Sequence, residues 1–234
     1  MLHLAVAAAL LASSPGQARG AGPPQPLPVV ATRLVTGPSS RVELTNTSSQ
    51  PATAWTLVIT VKEPDGRIRQ SIDTIDAYLS EVTREFTGPD QVDRLMPGQT
   101  REMMLDPLPA GATAEVTAAV LDDGTAVGDA DALASVFSHR EKERDQLREV
   151  VQLFDAVLPG ARGIDALRAL EQRLASGAPQ DESPAHRAAR EAVDAYLQRA
   201  NAANENAIDQ LLRRYAEIVR REYELAERHS RRRS

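Results

Sequence analysis

Trp55-Thr56-Leu57-Val58-Ile59-Thr60-Val61 puts Trp55, Leu57, Ile59 and Val61 on one side of an extended chain. A side-chain period of two over seven residues marks a β-strand with one face in a core. Shortly after it, Pro64-Asp65-Gly66 supplies a pre-set φ and a residue tolerant of positive φ. The strand ending near Lys62 therefore turns back into Arg67–Ile75 as a hairpin. Val42-Glu43-Leu44 and Ala114–Val120 alternate in the same way, and Thr36-Gly37-Pro38, Thr87-Gly88-Pro89 and Pro97-Gly98 are further stops. The pattern predicts seven short strands, at 28–35, 40–46, 53–62, 67–76, 81–87, 100–106 and 112–121. Strands of this length and spacing suit an antiparallel two-sheet sandwich over residues 28–122. Trp55, mid-strand, is read as a core filler.

Several of these pieces together resemble a known family. Val42-Glu43-Leu44-Thr45-Asn46-Thr47-Ser48, the strand through Val61, Pro64-Asp65-Gly66 and Leu95-Met96-Pro97-Gly98-Gln99-Thr100 look like the immunoglobulin-like domains of bacterial envelope proteins, of FxLYD or fibronectin type III character. In that family a strand ends in Asn plus a small polar turn, the next ends at an Asp-Gly hairpin, and a Leu-x-Pro-Gly-Glu/Gln turn introduces a late strand. The Phe-x-Leu-Tyr-Asp signature itself does not occur here. The resemblance implies an extracytoplasmic structural or binding module without enzymatic activity.

Beyond Asp129 the period changes. Leu133, Phe137, Leu147, Val151, Phe154 and Leu158 recur at helical spacing, which predicts a helix over 130–158. Its stripe is interrupted by Arg140-Glu141-Lys142-Glu143-Arg144, a run expected to sit in water or face a polar partner. Ile164, Leu167, Leu170 and Leu174 predict a second helix over 163–176. Ser183-Pro184, an N-cap followed by Pro at the first helical position, opens a third. No Gly or Pro interrupts residues 185–229, so a single helix over 184–229, about 70 Å long, is expected. Its near-heptad seam runs through Ala189, Val193, Leu197, Ala200, Asn204, Ile208, Leu211, Tyr215, Ile218, Glu222 and Leu225, with one step of four in place of three between Asn204 and Ile208. The fold class is thus α+β in two segregated parts. An immunoglobulin-like sandwich at 28–122 precedes a helical bundle or coiled-coil domain at 129–229, and a basic tail closes the chain at 230–234.

The first residues carry an address. Leu2–Ala12 is an apolar run followed by small residues, so 1–20 is read as a secretory signal peptide, and Pro-rich 21–27 as an extended leader. Eleven apolar residues fall short of the roughly 20 that a helix needs to cross a bilayer, so no transmembrane segment is expected. Localisation is therefore read as periplasmic or secreted. The chain has no Cys, so the exported protein folds on its core alone, without disulfides.

Composition narrows the function. A formal charge of -6 argues against a general nucleic-acid binder. With no Cys and 4 His in 234 residues there is little material for metal ligation, and no cofactor is expected. The densest oxygen cluster, Asp122–Asp131, has the donors for a hard cation. Its simpler reading is a turn at Asp123-Gly124 and a helix cap at Asp129. Asn46-Thr47-Ser48 fits the glycosylation sequon, with a turn again the simpler account. Known catalytic and phosphate-loop motifs are missing, and His139, His186 and His229 all look exposed.

The remaining candidates are interaction residues. A seam Asn can set register or oligomer state, although exposure of Asn201–Asn206 to water is the simpler reading; Asn204, Ile208, Leu211, Tyr215 and Ile218 are the residues expected to meet a protein partner or a second copy along the long C-terminal helix. Arg231, Arg232 and Arg233 have the charge for an acidic partner or, less simply, an anionic surface. The favoured function is a non-enzymatic structural or protein-interaction module of the cell envelope. One alternative is an accessory domain in which the sandwich binds a saccharide on Trp55, Tyr78 or Phe86, or a peptide along a sheet edge. Another is a hydrolase whose residues assemble only in three dimensions.

Overall fold

The structure is a computed structural model that describes residues 26–80, 82, 93–175, 183–201 and 203–232. The expected signal peptide and residues 21–25 of the leader lie outside the described residues. In chain order the strands are β1 (Val29–Val35), β2 (Arg41–Asn46), β3 (Ala52–Lys62), β4 (Ile68–Asp76), β5 (Thr100–Met104), β6 (Thr113–Leu121) and β7 (Ala126–Gly128). They form two antiparallel sheets, one ordered β1-β2-β5 and the other β4-β3-β6-β7. Six of these strands match expected ones to within two residues at each end. Of the strand expected at 81–87 only Val82 is described, and it is helical. The seventh strand, β7, instead falls inside the Asp122–Asp131 segment read as a loop. Three residues are too few for alternation to register.

Val42 and Leu44 of β2 meet Trp55, Leu57 and Ile59 of β3 and Val116 of β6 in one core, so the two sheets close over a shared interior. Each such side chain, fully buried, contributes roughly 1.5–3 kcal/mol. The β3–β4 hairpin turns where Pro64-Asp65-Gly66 predicts. Gly66 takes φ 84°, its N–H donates to the Glu63 carbonyl at 2.9 Å, and the Glu63 N–H donates to the Arg67 carbonyl at 2.8 Å. The opposite face of the four-stranded sheet is also covered at one end. Ala54, Ala118 and Val120 pack against Leu133, Val136 and Phe137 of the first long helix. For this reason Ala52–Leu57 is buried on both faces, although its sequence suggests only one.

The helices described beyond β7 are α1 (Ala130–Val157), α2 (Gly163–Leu174), α3 (Pro184–Arg199) and α4 (Glu205–His229). Asp129 caps α1, its carboxylate accepting from the Ala132 N–H at 2.8 Å, and Ser183 caps α3 through the His186 N–H at 3.2 Å. The four helices share a core built from Leu147, Val151, Phe154, Leu167, Val193 and Leu212, among others.

The single helix expected over 184–229 is divided in two. Ala200 leaves helical geometry with ψ 134°. No Gly or Pro is involved; side-chain amides do the work. Asn204 Oδ1 accepts from the Asn201 N–H at 2.8 Å, Asn204 Nδ2 donates to the Arg199 carbonyl at 2.8 Å, and Asn201 Oδ1 accepts from the Ala203 N–H at 2.9 Å. Short polar side chains here replace the partners that helix continuation would have offered the backbone. The break, at 200–204, comes just before the seam's step of four in place of three from Asn204 to Ile208. It lets Ala189 and Val193 of α3 and Ile208 and Leu212 of α4 enter one core rather than lie along a 70 Å rod.

Candidate functional site

The charged run expected in the middle of α1 holds the most concentrated polar arrangement among the described residues. Arg140 is 0% exposed, although it was expected in water or against a polar partner. The partner comes from its own chain. Arg140 Nε donates to Asp76 Oδ2 at 2.8 Å and Nη2 to Asp76 Oδ1 at 2.7 Å. Nη2 also donates to Thr53 Oγ1 at 3.1 Å, and Nη1 to the His229 carbonyl at 3.2 Å. Four hydrogen bonds thus join β3, the end of β4, α1 and the end of α4 through one guanidinium. The forked geometry with carboxylate is what arginine provides and lysine does not. The guanidinium carbon also lies 4.8 Å from the Tyr78 ring centroid, within cation–π range.

Tyr78 extends the cluster. Its hydroxyl donates to Glu143 Oε2 at 2.6 Å, and its ring centroid lies 5.7 Å from that of His229. Burial pushes the Tyr78 hydroxyl well above its usual range, with the Glu143 charge adding to it. Burial likewise raises Glu143, while the Tyr78 hydrogen bond pulls the other way. Glu222, one side of α4, is pushed up to about 7 by burial and by the neighbouring Glu143 charge. His229 corrects an expectation: it is 2% exposed, not in solvent. Burial, and then the Arg140 charge, lower its pKa, so the imidazole is held neutral. Arg144 Nη1 donates to Ser230 Oγ at 3.3 Å, a second tie between α1 and the C-terminal end of α4. Chemically this is a nearly closed clasp: among the described residues the buried His229 Nδ1 has no hydrogen-bond partner, while the Arg140, Asp76 and Tyr78 groups are spent on one another, on Glu143 and Thr53, and on the backbone.

Sequence reasoning does not assemble this cluster: it names Tyr78 only as a saccharide platform, Arg140 and Glu143 only as part of a charged run, His229 only as exposed, and Asp76 not at all. One signal was available. Arg140 and Arg144 occupy stripe positions between Phe137 and Leu147, and a charge on a core-facing stripe requires an internal partner.

The expected interaction residues do not form one surface. Ile208 and Ile218 are 4% and 5% exposed and turned inward. Tyr215 is half-buried, edge-on to Phe154 with ring centroids 5.9 Å apart. Asn204 is spent on the corner between α3 and α4. Leu211 faces solvent at 47% exposure. Arg231 is exposed and 3.5 Å from Glu227, Arg232 is exposed, and Arg233 lies outside the described residues.

Three of the four acids of Asp122–Asp131 are occupied separately. Asp122 pairs with Arg94 at 2.9 Å, Asp123 accepts from Gln50 Nε2 at 3.0 Å and from the Thr125 N–H at 2.9 Å, and Asp129 caps α1. Among the described residues no three His, Asp or Glu side chains are gathered as metal ligands. Asn46, in the sequon, is 0% exposed, and its Nδ2 donates to the Gln50 and Leu95 carbonyls at 2.7 Å. It pins one loop to the edge of β3. No helix among the described residues is long and apolar enough to cross a membrane.

Comparison with known proteins finds no matching family, no matching curated protein and no matching solved structure.

Proposed function

We propose that this is an exported, non-enzymatic protein of the cell envelope, in which an immunoglobulin-like sandwich and a helical domain act as one rigid structural or protein-interaction unit. The reading is carried by the Arg140 clasp. The chain buries a full positive charge, with Asp76 opposite, at the joint between sheets and helices. A buried ion pair adds little net stability over apolar packing, but separating its partners leaves an unpaired buried charge, so displacement of either is penalised. A joint so held suits a protein whose task is to hold surfaces at a set spacing and angle.

Self-association along a bare C-terminal rod loses its motive, because the corner at 200–204 folds Ile208 into the helical core and Ile218 is itself buried. The saccharide alternative also loses support, since Trp55 and Tyr78 are 1% and 2% exposed and offer no ring face to a ligand, while Phe86 lies outside the described residues.

Fractionation with photo-cross-linking tests the proposal. The whole chain, expressed in a bacterial host, is expected in the envelope fraction with a mature N-terminus near residue 21 by mass spectrometry. Photo-cross-linkers placed at the exposed positions Ile72 and Leu211 are expected to give discrete protein adducts. Retention of the uncleaved chain in the cytosol, or the absence of adducts from both positions, overturns it.

A further inference from the structure

β4 lies at the edge of its sheet, and every residue from Ile68 to Thr74 is exposed. Ile68 and Ile72 are 68% and 69% exposed, the two most exposed large apolar side chains among the described residues. An edge this long, with two bare isoleucines, is the form of strand that pairs with another chain.

The hydrogen-bond register states which backbone groups are available. The Glu63 N–H donates to the Arg67 carbonyl at one end of the hairpin, and the Ala77 N–H donates to the Thr53 carbonyl at the other. Between them β3 and β4 pair without a bulge, from Ala54 opposite Asp76 to Lys62 opposite Ile68. In an antiparallel ladder hydrogen-bonded and non-hydrogen-bonded pairs alternate. Arg69, Ser71, Asp73 and Ile75 therefore bond inward to β3. The N–H and C=O groups of Ile68, Gln70, Ile72 and Thr74 point outward from the edge.

The sequence of that edge, Arg67-Ile68-Arg69-Gln70-Ser71-Ile72-Asp73, is complementary to itself when read antiparallel about Gln70. We propose that β4 pairs with β4 of a second copy about a two-fold axis at Gln70, making one continuous sheet across the dimer. In this register Ile68 sits opposite Ile72 of the second copy, and Ile72 opposite Ile68. Both belong to the set with outward-pointing backbone groups, so these are hydrogen-bonded pairs. Arg67 faces Asp73 of the second copy, and Asp73 faces Arg67, each contact made twice as an isologous interface requires. Those two are non-hydrogen-bonded pairs, in which side chains lie closest. Apolar and opposite-charge cross-strand pairs are the favourable kinds.

Among the described residues of one chain the Arg67 side chain bonds its turn neighbour Asp65 alone, at 2.5 Å, and being 84% exposed it is free to exchange that contact. A shift of the axis to Ile72 would set Ile68 against Asp76, and the charge match would be lost. The register with Gln70 at the centre satisfies both constraints.

The inference deepens the reading of the chain as an interaction module by naming its partner. It does not depend on export: the two fail in separate experiments, one on purified protein and one in cells.

Sedimentation equilibrium and hydrogen exchange on the whole chain decide it. An edge pairing belongs to the small, weak class of interfaces, so doubling of the mass is expected between about 1 and 200 µM protein. Over the same range the amides of Ile68, Gln70 and Ile72 gain protection, while those of Arg69, Ser71 and Asp73 are already slow in the monomer. Asp73→Arg, at an exposed site, sets two arginine pairs face to face and weakens association at least about tenfold, with an unchanged circular dichroism spectrum. Adding Arg67→Asp to that variant restores the pairing. Three outcomes overturn the proposal: a monomer throughout the range, a dimer indifferent to Asp73→Arg, or outward amides protected only when a foreign extended peptide is supplied.

Discussion

Arg140 and Asp76, 64 positions apart in the chain, meet in a two-pronged ion pair of 2.8 and 2.7 Å at the joint of the sheets and the helices. Neither partner is solvated enough to stand alone: Arg140 is fully buried and the Asp76 side chain is 14% exposed. With Thr53 and the His229 carbonyl also bound to the guanidinium, the first helix cannot shift on the sheet without leaving a buried charge unpaired.

Breaking this pair from one side costs more than removing it. Arg140→Met or Asp76→Leu alone is expected to lower unfolding stability by about 3–5 kcal/mol. Arg140→Met combined with Asp76→Leu loses clearly less than the two singles together, since no unpaired charge remains. Urea unfolding of the three variants measures the coupling, and strict additivity would show that the two side chains do not act as a pair.

Gly128 ends β7 at φ 118°, directly beside β6. A Cβ there would run into the Thr117 carbonyl oxygen and the Ala118 Cα, both backbone atoms that cannot give way. Gly128→Ala should cost at least about 2 kcal/mol, and Gly66→Ala, which meets only an unfavourable φ in open space, about 1 kcal/mol. Thermal melts compare them; equal losses would mean that backbone crowding at Gly128 is not the cause.

The corner between α3 and α4 rests on Asn204. Asn204→Ala removes the bonds to the Asn201 N–H and the Arg199 carbonyl and is expected to cost about 1 kcal/mol, the usual scale for a helix-terminal polar contact. The same variant should keep the association state of the parent protein. A change in mass by sedimentation would return Asn204 to the role of an oligomer-specifying seam residue.

Glu222 gives the protein a pH dependence of defined sign. Its folded carboxyl is raised from 4.5 to about 7, so the folded chain holds the proton more tightly than the unfolded chain does. Its contribution is complete below about pH 4.5 and is lost as the pH rises through 7. His229 works in the opposite sense. Its pKa is lowered by burial, so its contribution is present above the unfolded value of about 6.5 and is lost as the pH falls. Glu222→Gln, neutral at every pH, should raise Tm by about 2–4 °C at pH 8, on the scale of 1 kcal/mol, and leave it unchanged near pH 4.5. A gain of the same size at both pH values would point to packing rather than to charge.

The amino-acid sequence by itself determined the local structure. Alternation placed Trp55, Leu57 and Ile59 on an inward face, Pro64-Asp65-Gly66 set the hairpin, Asp129 and Ser183 capped their helices, and 3.6-residue spacing separated the second half of the chain from the first. These are short-range effects, in which steric limits on φ and the burial of one face act within a few residues. Only the tertiary structure decided where the charges went and where the last helix broke. Arg140 reads as a solvent residue until Asp76 and Thr53, far off in sequence, supply its bonds, and His229 reads as tail until the sheet covers it. Residues 184–229 read as one rod because propensity counts backbone hydrogen bonds along a helix. The folded chain gains more by turning at Asn201 and Asn204 and burying two apolar faces together, and that gain exists only when α1 and α2 are present to receive them.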